Sequence, residues 1–593
     1  MDNRPIAQVF AEIADLLEIK GENVFKIRAY RSAADTINAW ADPVARMDEK
    51  QLLDLPGIGK DLAKKIRELA ETGTCRFHQD LLLEFPPTML DLLRLQGVGP
   101  KTVALLYSSL NIRSVEELVD AAKAGRLRAL KGMGPKKEAL ILKAVEEREK
   151  DRGRHLLSDT TSIAAELVAY LREHAPAAEF TPVGSLRRGC ETCGDIDILA
   201  TIDPSLAPSE VEGLAPSGVE GLMEQFVAFP RVERILGQGD TKSSIRIVGG
   251  YQADLRLVPS ESRGAAMQYF TGSKAHNVSL RDRAIQHGFK LNEYGLFRVD
   301  DDSRVAGDTE EGIYDALGMA WVPPELRENR GEIDASVARQ LPRLVSASDL
   351  RGDLHMHTTV TDGRDDLETM AAAAQRLGYS YIAITDHSKA LAMSNGLDER
   401  GALEHAARIR ALNGRFEALT LLAGIECDVL ADGTLDLAGD CLAQLDIVIA
   451  SVHSHYGQDE TQTTERILKA IECPWVDVLG HPMSRRLLQR EPLKVNFDRI
   501  VSAAVARGVA FEINSQPDRL DLSDAFARVA HERGATIVIS TDAHSTLALG
   551  NVRWGVQVAR RAWLTPEAVL NTRPLEEMRG MLRRSRRMQA NGR

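Results

Sequence analysis

The last two-fifths of the chain repeat one pattern seven times: a short apolar run that ends in a side chain able to bind a metal ion. The runs lie beyond Leu350 and are separated by alanine-rich stretches of helical character. Strand, functional tip and helix in this alternation are typical of a parallel β/α barrel, whose functional groups lie at the carboxyl ends of its strands. The tips are Asp353-Leu-His355-Met-His357, Asp386-His387, Glu426, His453, His481, Asn514 and Asp542-Ala-His544.

These tips predict a metal centre. Nine of the 14 histidines lie at or beyond His355, and burying so many imidazoles and carboxylates together is prohibitive without cations. The set offers nitrogen and oxygen ligands and no thiolate, which favours Mn, Zn or Fe. Because the set exceeds one coordination sphere, two or three ions are expected. The candidate ligands are His355, His357, Asp362, His387, Glu426, His453, His481, Asp542 and His544.

This spacing resembles the polymerase-and-histidinol-phosphatase (PHP) domain family. The resemblance implies a seven-stranded barrel with a trinuclear site that hydrolyses phosphoesters. Every ligand position of that family is filled here, with Asp362 where some members have histidine. His455, two residues after His453, lies outside the family pattern and is a candidate substrate contact.

A second metal site is predicted in the middle of the chain. A Gly-Ser turn with paired arginines, residues 184–189, precedes the strand that begins Asp195-Ile-Asp197. Alternate residues of a strand share a face, so the two carboxylates point the same way and repel each other unless cations lie between them. Such a pair suits two-metal phosphoryl transfer with Mg or Mn. A third carboxylate is expected from a neighbouring strand, and Asp254 is the candidate.

These residues resemble the nucleotidyltransferase superfamily, and Tyr269-Phe-Thr-Gly-Ser273 narrows the resemblance to family X DNA polymerases, of which DNA polymerase beta is the best-known type. The resemblance covers about residues 1–320 and implies an α+β palm with a small thumb. It implies that Asp195 and Asp197 carry both metals and that Asp254 assists the attacking 3′-hydroxyl. The residues implied to contact the nucleotide or the minor groove are Gly184, Ser185, Arg188, Gly194, Tyr269, Phe270, Gly272, Asn277 and Arg281.

Three short glycine turns punctuate the first 150 residues, which otherwise have the periodicity of short amphipathic helices. In each, a G-x-G tripeptide and a basic residue open the next helix, which leaves backbone amides free for a phosphate. One such turn is more often purely structural, whereas three copies resemble helix-hairpin-helix motifs, which hold the DNA backbone without reading its sequence. The glycines are Gly57, Gly59, Gly97, Gly99, Gly132 and Gly134.

The resemblance to family X polymerases extends to the front of the chain. Ala29-Tyr-Arg-Ser-Ala-Ala34 and the first hairpin resemble the family's small 5′-phosphate-binding domain, in which Lys65 falls at the position of the Schiff-base lysine. Phe25 stands where the animal enzyme has a histidine. A lysine on a helix is more often solvated surface, so lyase chemistry and a surface role are both open for Lys65.

Cysteine usage and charge limit the class of protein. Six cysteines without regular spacing give no disulfide framework, and the start of the sequence lacks a signal-peptide pattern, so a reduced, cytosolic protein is expected. Cys190 and Cys193 lack a second cysteine pair and are predicted to be loop thiols rather than a zinc site. The net charge is −12, so DNA contact must come from local positive groups. No apolar stretch approaches the roughly 18 residues of a membrane span.

The predicted organisation is multidomain: an all-α helix-hairpin-helix front, an α+β nucleotidyltransferase palm with a small thumb, and a C-terminal (β/α)7 PHP barrel. A tandem octapeptide at 207–222 is a predicted surface insertion without assigned chemistry. The expected boundaries are 1–85 for a helix-hairpin-helix domain of the 5′-phosphate-binding type, 86–150 for a second one, 151–260 for the palm, 261–322 for the thumb, 323–348 for a linker and 349–593 for the barrel.

This order of domains resembles bacterial family X polymerases with a C-terminal PHP domain. It implies a monomeric, cytoplasmic repair polymerase that adds dNTPs at gapped or nicked DNA, needs no membrane and has a 3′–5′ exonuclease. Two alternatives stay open. One is a repair nuclease for abasic sites or 3′ phosphates with weak polymerase activity; the other is a DNA-end-binding scaffold, against which the intact carboxylates and ligands argue.

Overall fold

The computed structural model divides into two compact units, one within residues 1–152 and one within residues 153–593. None of the helices it describes is long and apolar enough to cross a membrane. Gly97 and residues 207–219 of the tandem insertion lie outside the described residues. The described residues are 3–39, 44–93, 95, 98–130, 132–135, 137–142, 145, 153–176, 178–202, 220–391 and 394–583.

The described residues of the first unit form helices and turns, as predicted. One apolar core runs from Ile6 to Val145, so the two predicted domains in this unit share it. The core forms because each short amphipathic helix buries one stripe. The helices are Asn3–Lys20, Val24–Ala39, Glu49–Leu53, Lys60–Thr72, Arg76–Glu84, Thr88–Leu93, Pro100–Leu110 and Val115–Lys123.

A five-stranded sheet forms the palm. Its strand order is β2-β4-β7-β6-β5, with β4 and β7 parallel and the other neighbours antiparallel; β1 and β3 form a separate antiparallel pair. The helices Leu157–His174 and Glu220–Val227 pack on the sheet through an apolar core. The strands are β1 (His155–Leu156), β2 (Ala178–Pro182), β3 (Thr192–Cys193), β4 (Asp195–Ile202), β5 (Val232–Gln238), β6 (Lys242–Ile247) and β7 (Tyr251–Pro259).

The thumb is a smaller layer of helices around a three-stranded antiparallel sheet. Leu280 and Tyr314 lie in its core and are fully buried. Its helices are Arg263–Thr271, Lys274–Gln286 and Glu310–Ala316, and its strands are β8 (Phe289–Asn292), β9 (Gly295–Arg298) and β10 (Arg304–Ala306).

The segment 323–348, for which the sequence predicts a linker, is packed rather than exposed. It contains the helix Glu332–Val337. Arg327 and Glu332 in this segment are fully buried, and Glu332 Oε1 lies 2.7 Å from His276 Nδ1 in the thumb. The segment for which a linker is predicted is therefore packed, because charged residues within it are paired inside the protein.

Seven parallel strands form the predicted barrel, each hydrogen-bonded to the next in chain order. A parallel β-bridge between Met356 and Ala543 links the segment after the first strand to the segment after the last strand, so the barrel nearly closes. The strands are β11 (Gly352–Asp353), β12 (Tyr381–Ile384), β13 (Thr420–Asp428), β14 (Ile447–Ser451), β15 (Val478–Leu479), β16 (Ala510–Asn514) and β17 (Ile537–Ser540). The helices around it are Leu367–Arg376, Glu399–Leu412, Gly439–Leu442, Glu460–Glu472, Phe497–Arg507, Asp524–Glu532, Val552–Arg561 and Leu575–Met581.

The barrel packs directly on the palm within the second unit. Leu157 and Cys193 of the palm belong to the same apolar core as the barrel helices. Arg485 of the barrel donates two hydrogen bonds to the Glu191 carboxylate, at 3.1 and 2.6 Å. The polymerase core and the barrel are therefore one packed body rather than two domains on a tether.

Candidate functional site

The three predicted carboxylates lie together at one end of the palm sheet. Asp195 and Asp197 are on β4, and Asp254 on β7 is the direct register partner of Asp197. Lys242 Nζ lies 3.4 Å from Asp254 Oδ2, and Gln252 donates to the other oxygen of Asp254 at 3.3 Å. Because partnered residues of adjacent strands share a face, this end of the sheet presents all three acids to one side.

The pKa values of these acids show that grouping their negative charges is electrostatically unfavourable. Burial, with the charges of Asp195 and Asp254, raises the pKa of Asp197 to about 7. Burial, followed by the charge of Asp254, also raises the pKa of Asp195. Such shifts mean that negative charge is held without enough positive charge nearby. Divalent cations relieve this repulsion, and an oxygen-only donor set fits Mg or Mn.

The loop before β4 approaches these acids closely because it begins with a glycine. Gly184 has a φ of +66°, and a Cβ built on it would lie 2.5 Å from Asp197 Oδ2. Only glycine tolerates both the conformation and the contact. Ser185 follows it, and Gly194 ends the loop immediately before Asp195.

Arg188 connects this loop to the predicted nucleotide-lining segment. Its Nη1 donates to the Thr271 carbonyl at 2.6 Å, and its Nε donates to Glu328 Oε1 at 3.0 Å. Gly272 lies directly beside it, since a Cβ on that glycine would be 3.3 Å from Arg188 Nη1. The structure thus brings a guanidinium to the segment that carries Tyr269 and Phe270.

Asn277 and Arg281 lie on one helix but in different environments. Asn277 Nδ2 donates to the Tyr269 carbonyl at 2.6 Å, and Asn277 Oδ1 accepts from Gln268 at 2.8 Å. Asn277 therefore fixes the backbone of the segment that holds Tyr269 and Phe270. Arg281, about one helical turn later, is exposed.

An ion network behind the loop was missed by the sequence analysis. Arg187 donates to both oxygens of Glu310 at 2.8 and 2.7 Å, and Arg327 donates to Glu310 at 2.7 Å. Although burial opposes ionisation, the hydrogen bonds and charges of these arginines lower the pKa of Glu310 to about 2. The network ties the loop to the thumb, and the sequence pattern pointed to Arg187 but not to Arg327 or Glu310.

The predicted barrel ligands converge on Glu426, which lies on β13. Its carboxylate oxygens are 3.3 Å from His355 Nε2, 3.0 Å from His387 Nδ1, 3.3 Å from His453 Nε2 and 2.9 Å from His481 Nε2. All five side chains are buried or nearly so. Four separate strand tips therefore meet at one carboxylate.

The ligand atoms fall into three groups, each with all its atoms within 4.8 Å of one another. Both ring nitrogens of His357 are buried without a hydrogen-bond partner, and a cation would satisfy such nitrogens. Eight of the predicted ligands belong to these groups, and His481 contacts Glu426 as described above. The groups are His357, Asp362, His387 and His544; His355, His357 and Asp542; and His387, Glu426 and His453.

Neighbouring charges and burial determine which imidazoles of this cluster are protonated. Burial and the charges of His544 and His387 lower the pKa of His357 to about 4. Although burial opposes it, the carboxylates of Glu426 and Asp362 raise the pKa of His387 to about 10. His357 is thus held as the neutral imidazole that binds metal, and His387 carries positive charge that a cation would replace.

Two carboxylates that sequence reasoning missed orient the ligands. Glu512 Oε1 lies 2.7 Å from His355 Nδ1, and Asp428 Oδ1 lies 3.0 Å from His453 Nδ1. A carboxylate on the second ring nitrogen fixes the tautomer and orientation of a metal-binding histidine. The available signal was a carboxylate inside an apolar strand, since burial there demands a partner.

The cluster lines an open cavity of about 610 Å³. Arg364, Arg486 and Arg519 contribute to the cavity wall. Guanidinium groups bind phosphate oxygens well, so this cavity suits a phosphoester. His455, the candidate substrate contact, is exposed on the loop after β14.

In the first unit, the G-x-G turns use the conformations that glycine permits. Gly57 and Gly132 have φ values of +76° and +82°. Gly59 and Gly99 are the N-cap residues of the helices that follow and carry no side chain that occupies the helix amides. A Cβ on Gly134 would meet nothing within 4 Å. These turns therefore leave helix N-termini open to an anion.

Lys65 is not a solvated surface lysine. Its side chain is 13% exposed, and its Nζ lies 2.6 Å from Asp61 Oδ2 and 5.2 Å from the centre of the Phe77 ring. Burial acts to lower the pKa of Lys65, but Asp61 and Tyr30 raise it overall. The amine is therefore held charged, whereas a Schiff base forms from the neutral amine.

Cys190 and Cys193 are free thiols beside the nucleotide loop. Burial raises the pKa of Cys193 to about 11, and burial also raises the pKa of Cys190. Both groups are therefore held as thiols rather than thiolates.

Family models match five stretches of the chain. They describe a helix-hairpin-helix domain at residues 1–75, a SAM-like helix-hairpin-helix tandem at 89–147, a DNA polymerase beta palm at 158–229, a DNA polymerase beta thumb at 266–328 and a PHP domain at 353–516. The chain is also 28% identical to a probable phosphatase of Shewanella sp. (strain MR-4) over 233 residues, 38% of this chain and 88% of that protein. It is 29% identical to a probable phosphatase of Thermoanaerobacter sp. (strain X514) over 231 residues, 37% of this chain and 85% of that protein.

A further relative matches the chain from end to end. The DNA polymerase/3′-5′ exonuclease PolX of Bacillus subtilis (strain 168) is 35% identical over 587 residues, 99% of this chain and 100% of that protein. The match spans both clusters of acidic and histidine residues described above. The chain belongs to the PolX family, in which a polymerase of the beta type and a PHP domain are parts of one protein.

Proposed function

We propose that this protein is a DNA repair polymerase that fills short gaps and also removes nucleotides from DNA 3′ ends. The observation that carries the proposal is the presence of two separate clusters of metal-binding side chains, one in the palm and one in the barrel, in a chain related over its whole length to a polymerase/exonuclease. Gapped or nicked DNA and dNTPs are the proposed partners. A monomeric state and a cytoplasmic location stay predictions.

At the palm, Asp195, Asp197 and Asp254 would hold two Mg or Mn ions. Such ions supply charge stabilisation of the attacking and leaving oxygens. The protein's own contribution is placement: Gly184 and Ser185 bring the loop beside Asp197, and Arg188 offers a guanidinium to the triphosphate. Asp254 accepts from Gln252 and lies beside Lys242, contacts that would hold its carboxylate in place next to the 3′-hydroxyl it would assist.

The segment after the palm would hold the base and sugar of the incoming nucleotide. Asn277 fixes the backbone beneath Tyr269 and Phe270 through the Tyr269 carbonyl. Gly272 lets this segment approach Arg188 without a side chain between them. Arg281, exposed on the same helix, is free to reach the minor groove of bound DNA.

In the barrel, the nine clustered side chains would hold two or three Mn, Zn or Fe ions, which supply a hydroxide nucleophile and neutralise the phosphoester. Glu512 and Asp428 hold two ligand imidazoles in one tautomer each. The wall arginines would orient the phosphate of a DNA 3′ end. The complete set of candidate ligands argues against the scaffold alternative. The relative that matches the whole chain is named as a polymerase and 3′-5′ exonuclease, which does not favour the repair-nuclease alternative.

In the first unit, backbone amides at the G-x-G turns would hold DNA phosphates without reading bases. Lys65 Nζ lies 6.0 Å from the centre of the Tyr30 ring and 5.2 Å from that of Phe77, and lyase chemistry there would require it to lose its proton.

The experiment is incubation of the purified full chain with a 5′-labelled gapped duplex, with and without dNTPs, in Mg and in Mn. We expect extension to the end of the gap when dNTPs are present and stepwise shortening from the 3′ end when they are absent. Shortening without any extension would contradict the polymerase proposal and support the repair-nuclease alternative. DNA binding without extension or shortening would support the DNA-end-binding scaffold instead.

A further inference from the structure

The nucleotide loop of the palm lies against the barrel. Gly189 approaches so closely that a Cβ there would be 2.0 Å from Gln557 Nε2, on the barrel helix Val552–Arg561. Two residues later, Glu191 receives both hydrogen bonds from Arg485. The loop that holds Arg188 is therefore bounded on one side by the palm acids and on the other by the barrel.

Arg188 shares its acidic partner with an arginine of the barrel. Glu328 Oε1 accepts from Arg188 Nε at 3.0 Å and from Arg561 Nη1 at 3.0 Å. Arg561 Nη1 also donates to the Arg188 carbonyl at 2.9 Å. The three side chains are only 9 to 18% exposed, so water screens their charges weakly.

The network continues into the barrel as alternating charges. Arg561 Nη2 lies 3.0 Å from Asp524 Oδ2, which lies 3.0 Å from Arg330 Nη1. Burial works to raise the pKa of Glu328, but the charges of Arg188 and Arg561 lower it overall. One carboxylate, 18% exposed, thus balances two guanidiniums, one at the nucleotide site and one on the barrel.

A nucleotide phosphate that binds Arg188 through Nε must displace Glu328, because Nε has a single proton to donate. Glu328, whose side chain is 18% exposed, would then depend on Arg561 for a charged partner, and losing every charged partner at so weakly hydrated a site is costly. We propose that Glu328 and Arg561 are positioning residues of the polymerase site. This inference rests on the role proposed above for Arg188 at the triphosphate. The barrel thereby sets the affinity of the palm for dNTP.

The test is the dNTP dependence of single-nucleotide gap filling by the full chain, with a phosphorothioate at the primer 3′ end so that the exonuclease does not consume it. Arg561→Gln should raise KM about tenfold with little change in kcat, because Glu328 then holds Arg188 alone. Glu328→Gln should lower KM, because Arg188 is released. The double variant should behave like Glu328→Gln, since Arg561 acts only through that carboxylate.

Arg560→Gln is the matched control. Arg560 precedes Arg561 on the same barrel helix and donates to Glu325 at 2.7 Å instead of to Glu328, so its KM should stay unchanged. Unfolding curves and exonuclease rates on the same preparations report whether a variant is folded. Equal effects of Arg560→Gln and Arg561→Gln, or an unchanged KM in Arg561→Gln, would overturn the inference.

Arg188→Gln separates this inference from the proposed function. If Arg188→Gln leaves KM unchanged, Arg188 does not bind the triphosphate and the proposed nucleotide site itself is wrong. If Arg188→Gln raises KM and Arg561→Gln does not, only the coupling to the barrel is wrong. An Arg561→Gln effect of the same size with and without Glu328→Gln would also contradict the coupling.

Discussion

Asp197 and Asp254 are direct partners across the parallel pair β4 and β7, so two strands deliver their carboxylates to one point of the palm. Replacing Asp195 and Asp197 together by asparagine should abolish nucleotide addition, because the cations lose their shared ligands. Exonuclease activity should persist, since its ligands lie in the barrel. Primer extension and 3′ shortening, measured on one preparation, check this; loss of both would mean that the two centres depend on each other.

The raised pKa of Asp197 gives a pH dependence to the metal-free protein. Its folded-state pKa is about 7 against an ordinary 3.8, so the folded state binds more protons between these values and stability falls as pH rises from about 4 to about 7. Asp197→Asn should therefore raise Tm in EDTA at pH 8, by about 2 °C, and should have no such effect at pH 4. Calorimetry checks this. An equal effect at both pH values would contradict the charge explanation.

Glu512→Gln should weaken metal binding in the barrel without removing a ligand. Its carboxylate fixes the His355 ring, and loss of such a partner typically costs about 10- to 100-fold in metal affinity. Metal titration followed by the 3′-shortening assay measures the loss, and excess metal should restore activity. Glu532→Gln, which changes an exposed side chain far from the ligands in sequence, is the control. Activity that excess metal does not restore would point to a catalytic rather than an orienting role.

Gly57→Val should weaken DNA binding by about tenfold and equally for all sequences, because a β-branched residue does not adopt a φ of +76° and the turn amides shift. The salt dependence should become shallower. Gly21→Val is the control, since Gly21 has a similar φ of +77° and an open Cβ position but lies outside the three G-x-G turns. Loss confined to particular sequences would show base contacts instead.

Asp61→Asn should increase Schiff-base formation by Lys65, if that lysine attacks a 5′ abasic sugar. Removing the carboxylate 2.6 Å away lowers the pKa of Lys65 and so raises the neutral fraction. Borohydride trapping on 5′-deoxyribose phosphate DNA at pH 7 measures the product, with Lys64→Ala as the neighbouring control. Trapping that survives Lys65→Ala would assign the chemistry elsewhere.

Residues at the ends of elements were predictable, and residues paired inside the fold were not. Strand tips such as His355 and Asp542 follow visible apolar runs, so their meeting could be predicted from the alternation of strands and helices. Arg327 and Glu332 lie in the proline-containing segment for which the sequence predicts a linker. Composition does not distinguish a solvated charge from one with a buried partner, because the partner, Glu310 or His276, is distant in sequence.

The apolar core that Leu157 and Cys193 share with the barrel has an evolutionary consequence. A polymerase cut from the chain before residue 349 would expose these side chains to water and would lose the bidentate partner of Glu191. Burial of apolar surface is the dominant stabilising term in folding. A descendant that lost every metal ligand of the barrel would therefore still have to inherit the barrel, as a wall for its polymerase.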